Sequence, residues 1–192
     1  MPIAPEIHDQ PLPYVDLLDE RPRGDIDLVV LHCTELPDLA TARQYGERVQ
    51  NPQVGTGFSG HFYVDRDGGV YRYVPIDRVA HHTRGYNSRS VGIELVNSGR
   101  FPDWFDSRRQ TMTEAYATAQ IHALTVLLLQ LKSELPQLAL IAGHEDLDRG
   151  RVAASDAPHV EVFRKRDPGP RFPWTEVLAA GEFTRLTPGV PQ

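Results

Sequence analysis

Apolar and polar positions alternate along this chain in short, well-separated blocks. "DIDLVVLH" (25–32) is a brief apolar run rich in β-branched residues, the pattern of a buried strand. "GHFYVDRDGGVYRYV" (60–74) alternates on both sides of Asp67-Gly68-Gly69 and predicts a hairpin. "SVGIELV" (90–96) and "LALIAGH" (138–144) predict two further strands. Helical spacing predicts a helix over 38–50 and a longer one over 113–134. In the second, Ile121, Leu124, Leu128, Leu131 and Leu135 share a face, and Thr111 with Glu114 offers a capping box. "PWTEVLAA" (173–180) predicts a short final helix opened by Pro173. Strands, one antiparallel hairpin and long helices in this order give a single α/β domain, a central mixed β-sheet flanked by α-helices. Five prolines mark residues 1–24 as an extended N-terminal arm. The domain runs over 25–180, and 181–192, ending in "TPGVPQ", reads as a tail.

Composition changes this picture little. A chain of 192 residues with 40% hydrophobic and 24% charged content is long enough for one real core. The net charge of −6 argues against nucleic acid as a partner. No segment is apolar enough to cross a membrane, and the first residues lack the basic start and apolar stretch of a signal peptide, so the expected location is cytoplasmic, with an exported protein as the alternative. One cysteine, Cys33, excludes an internal disulfide.

The candidate chemistry lies at strand ends. The strand 25–32 ends in His32 and the strand 138–144 ends in His144. Parallel neighbours would deliver both imidazoles to one carboxyl edge, where open α/β sheets hold their sites. A catalytic zinc needs a third ligand and an open position, and Asp167 offers a carboxylate whose direction the following Pro168 constrains. Lys165 is one of only two lysines in the chain. Two residues before Asp167, it is suited to stabilise an oxyanion beside such a zinc. Glu94, between Ile93 and Leu95, points away from their face, where it is either exposed or employed in the proton transfer that an amide hydrolysis requires.

Five blocks occur in order: "LVVLHCTE", "SGHFYVDRDGGVYRYVP", "RVAHHTRGYNSRSVGIELVN", "IAGHEDL" and "KRDPGPRFPW". Together they resemble the zinc-dependent N-acetylmuramoyl-L-alanine amidase family, which includes cell-wall recycling amidases, phage amidase lysozymes and peptidoglycan recognition proteins. The resemblance spans about residues 27–178. It implies the peptidoglycan amidase fold and hydrolysis of the amide between N-acetylmuramic acid, or its 1,6-anhydro form, and the L-alanine of the stem peptide. It also implies Zn2+ on His32, His144 and Asp167, Glu94 as catalytic acid, Lys165 as oxyanion stabiliser, and a peptidoglycan fragment or muropeptide as partner. His61 and His82 match recurring histidines near the groove, either lining it or hydrogen-bonding structurally. Asn87 either shapes its loop or touches substrate.

There are departures from the family pattern. His81 stands where the family has a tryptophan, and the 145–164 stretch between second and third ligands is long. That stretch is expected to form a flap whose Arg149, Arg151 and Arg164 hold substrate carboxylates. His8, His122 and His159 are assigned no role, and Cys33 faces away from His32. The competing function is a binding module of the same fold that recognises muropeptide without cutting it.

Overall fold

The computed structural model describes residues 5–187. In chain order the elements are β1 (Ile7–Asp9), β2 (Leu28–Cys33), α1 (Leu39–Gly46), β3 (Phe62–Val64), β4 (Val70–Arg72), β5 (Ser90–Leu95) and α2 (Thr118–Glu134). They continue with β6 (Leu140–Gly143), α3 (His144–Leu147), β7 (Arg151–Ala153), β8 (Glu161–Phe163), α4 (Trp174–Gly181) and β9 (Thr184–Arg185).

Seven strands form one mixed sheet in the order β1-β4-β3-β5-β2-β6-β9, with β3 and β4 the antiparallel pair. At its centre β2 is flanked by β5 and β6, parallel to both. The expected α/β architecture is present.

Alternation along the strands sorts side chains to two faces. Val29, Leu31, Val91, Ile93, Phe62 and Val64 turn to one face and pack under α2. That helix presents Ile121, Leu124, Leu127, Leu128 and Leu131, and α4 adds Val177. Fully burying each such side chain stabilises the fold by about 1.5–3 kcal/mol relative to leaving it in water. The residues between them, His32 on β2, Glu94 on β5 and Tyr63 on β3, turn to the opposite face.

Three expectations are corrected. The long helix starts at Thr118, without a side-chain cap, not at 113. Glu114 is drawn elsewhere: Oε1 accepts from Arg66 Nε at 2.7 Å and Oε2 from the Ser98 amide at 2.7 Å. A guanidinium partner is stronger than a reciprocal cap, so the capping box does not form. The N-terminal segment is also more than an arm. It adds β1 to the sheet edge and seats Leu12, Tyr14, Val15 and Leu18 in a second apolar cluster with Tyr63 and Tyr73. Within it, buried Arg21 donates to the carbonyls of Ile76, Asn87 and Ser90. Finally, residues 181–187 do not behave as a tail. Phe183 is buried, β9 pairs with β6, and Arg185 forms an ion pair with Asp146. The remainder of the expected tail, 188–192, lies outside the described residues. Among the described residues, no helix is long and apolar enough to cross a membrane.

Candidate metal centre and groove

Register brings the site together. His32 lies directly opposite Glu94 in the β2–β5 pair. Leu31 lies opposite Gly143 in the β2–β6 pair, so His144 emerges one residue further on, level with His32. The imidazole centroids are 4.6 Å apart. Asp167 arrives on the loop after β8. Gly143 admits that loop, because a Cβ there would lie 2.7 Å from Pro168 Cδ. The Glu145 amide then donates to the Asp167 carbonyl at 2.9 Å and locks the approach.

His32 Nδ1 lies 2.9 Å and His144 Nδ1 3.1 Å from the same oxygen, Asp167 Oδ2. All three residues are buried, and their ligand atoms lie within 4.8 Å of one another. The other carboxylate oxygen, Asp167 Oδ1, is buried with no hydrogen-bond partner among the described residues. A buried acceptor without a donor is costly unless a cation satisfies it. Two imidazoles and a carboxylate with an unspent oxygen therefore fit a divalent metal. Cys33 is buried, and as the next residue along β2 its side chain takes the opposite face from His32.

Electrostatics separate the acids. Burial would raise the Asp167 carboxyl, but the His144 charge and hydrogen bonds from both imidazoles hold it well below the usual carboxylate range. Burial, reinforced by the Asp167 charge and opposed by Lys165, pushes Glu94 up to about 8. Glu94 Oε1 sits 4.0 Å from His32 Nδ1. One carboxylate is a permanent anion and the other is poised to hold a proton, the division that separates a ligand from an acid.

These residues line a groove of about 720 Å³, together with Lys165, His82, Asn87 and Arg164. His61 does not reach it. It is 0% exposed, its Nδ1 accepts the Gly92 amide at 3.0 Å, and its Nε2 lies 3.1 Å from the Arg78 carbonyl and 2.7 Å from Arg21. Its assignment to substrate binding is therefore corrected: both nitrogens are spent inside the protein. Asn87 follows its loop-shaping alternative, with Oδ1 accepting the amides of His82 and Thr83 at 3.1 and 2.7 Å. Arg164 lines the groove, but its guanidinium is ion-paired with Asp148. The 145–164 stretch contains a two-stranded hairpin, β7–β8, in which Arg151 stacks on Phe163. Its outer turn is docked, since Asp156 accepts from the Ser107 amide and hydroxyl at 2.7 and 2.8 Å.

Sequence reasoning missed one pair on the groove wall. Arg100, its side chain 1% exposed, forms a two-pronged ion pair with Glu35 at 2.7 and 2.8 Å. It also donates to the carbonyls of Phe163 and Arg164, the two residues before Lys165. The only sequence signal was Glu35 standing three places after His32.

Residues 22–170 match the protein family described as N-acetylmuramoyl-L-alanine amidase. The chain belongs to that family. Among curated proteins it is 35% identical over 104 residues to an endolysin of Klebsiella phage KP32, covering 54% of this chain and 60% of the endolysin. It is 32% identical over 137 residues to the 1,6-anhydro-N-acetylmuramyl-L-alanine amidase AmpD of Escherichia coli K12, covering 66% of this chain and 61% of that one. The chain thus spans about 60% of the length of these relatives. Among solved structures, a selenomethionine AmpD superposes with a TM-score of 0.63 at 27% identity, over 91% of this chain and 94% of that one.

Proposed function

We propose that this amidase-family chain is a zinc-dependent N-acetylmuramoyl-L-alanine amidase, hydrolysing the amide between the lactyl group of N-acetylmuramic acid, ordinary or 1,6-anhydro, and the L-alanine of a muropeptide. The observation that carries the reading is the convergence of His32, His144 and Asp167 opposite an acid, Glu94, whose carboxyl is raised to about 8. A zinc ion on the three ligands supplies Lewis acidity and lowers the pKa of water to roughly 7.

The chain's own residues do the rest. Glu94 takes the proton of the attacking water and delivers it to the departing nitrogen, so that a C–O bond forms as the C–N bond breaks. A cation beside it would favour the ionised form and so lower the carboxyl from about 8, which helps it accept the proton before passing it on. Lys165, on the groove wall, places an ammonium against the charge that develops on the carbonyl oxygen. Buried Asp167 stays ionised and balances the metal's charge.

Purified protein is expected to hold about one zinc per chain, as three ligands and an open position predict. It should release free stem peptide from a muropeptide, and His32→Ala should lose both metal and hydrolysis. A metal-free wild type that binds muropeptide without cutting it would assign the chain to the recognition branch of the fold. Comparing hydrolysis of soluble anhydromuropeptide with that of intact sacculi distinguishes a recycling enzyme from a lytic one.

A further inference from the structure

His32 has a second ring nitrogen, turned away from Asp167. Nε2 lies 3.0 Å from Nδ1 of His82. Two neutral imidazole nitrogens at that distance share one proton, and the question is which ring owns it. The answer comes from the far end of the chain of contacts. Ser90 Oγ donates to the Tyr86 carbonyl at 2.7 Å, so towards His82 Nε2, 3.2 Å away, it can only accept. His82 therefore carries its proton on Nε2 and leaves Nδ1 bare. With a metal bound, His32 therefore holds its proton on Nε2, leaving Nδ1, which donates to Asp167 Oδ2 at 2.9 Å when no ion is present, free to ligate. Thr83 Oγ1, 3.1 Å from His82 Nδ1, adds a hydroxyl at the same junction.

The surroundings hold the His82 ring in place. It lies flat on Gly92, where a Cβ would come within 2.6 Å of its Cγ, so any other residue would displace it. Asn87 fixes its backbone amide. The His32 and His61 rings enclose it edge-on, with centroids 5.2 and 5.7 Å away.

We propose that His82, Ser90 and the Tyr86 carbonyl form a one-way hydrogen-bond relay that sets the tautomer and orientation of His32, so that Nδ1 is presented to the metal. His82 is then a positioning residue for metal binding rather than a contact for the sugar or peptide. The inference rests on the metal reading above and adds the partner that makes one ligand competent. Outer partners of this kind govern affinity by about 10–100-fold.

The test is zinc affinity, measured by competition with a chromophoric chelator on the whole chain. His82→Phe, which keeps a ring on Gly92 but offers no acceptor, is expected to bind zinc about 10–100-fold more weakly. His82→Asn, whose amide oxygen can take the place of Nδ1, should recover most of that loss. In histidine-labelled, zinc-loaded wild type, NMR should show a slowly exchanging proton on His32 Nε2, absent in His82→Phe. Wild-type affinity in His82→Phe, or a His32 Nε2 without a proton, overturns the relay. Should His82→Phe fail to fold, Ser90→Ala decides, because unchanged affinity there overturns it equally. A wild type that binds zinc but cleaves no muropeptide sinks the amidase assignment and leaves the relay intact. A wild type that takes up no zinc sinks both.

Discussion

Glu94 and Lys165 flank the same centre, yet they differ in what their loss should do. Glu94→Gln removes a proton carrier without changing size, so turnover is expected to fall by about 10²–10⁴ with zinc retained. Lys165→Ala removes an oxyanion partner and should lower turnover by about 10²–10³, also with zinc retained. Steady-state kinetics beside metal analysis checks both, and unchanged turnover in either variant removes that residue from the mechanism. The meeting of His32 and His144 at one sheet edge was legible in the sequence because strand-end position carries that geometry, and the facing of Glu94 because side chains alternate along a strand. His61 was not. Its enclosure depends on Arg21, forty residues earlier, folding across the sheet to meet it, and no local pattern encodes such a meeting.

Between elements, the Glu35–Arg100 pair joins the loop after β2 to the strand that leads into Lys165. Removing one partner of a buried ion pair strands the other and costs about 3–5 kcal/mol. Arg100→Met is therefore expected to lower unfolding stability by that amount in denaturant titration. It should also depress turnover by loosening the backbone before Lys165. Adding Glu35→Met should return much of the stability, and equal stability of Arg100→Met and wild type would show the pair to be inert. At this scale the chain was read well where an element is made by its own periodicity, as in β2, β5 and the body of α2. It was misread where a side chain had a distant alternative, as Glu114 has in Arg66. β1 and β9, at three and two residues, are too short to show a period, and their pairing comes from the sheet they join.

Across the whole molecule the sheet separates support from chemistry. Leu128 is fully buried in the cluster beneath α2, on the face away from His32 and Glu94. Leu128→Ala is expected to cost about 2–5 kcal/mol by leaving a cavity. The measurement is a lowered thermal midpoint with zinc content and turnover at low temperature close to wild type. A large loss of zinc in a still-folded variant would mean that the two faces are coupled.

The pairing of β2 with β5 and β6 has one more consequence. Because neighbours along a strand face opposite ways, sliding β2 by a single residue would put Leu31 or Cys33 where His32 stands and bury the imidazole under the helix. A collapsed chain with that error could look compact and helical yet have nowhere to seat an ion. Uptake of the cation thus doubles as a proofreading signal, reporting that the central strands have found their proper alignment.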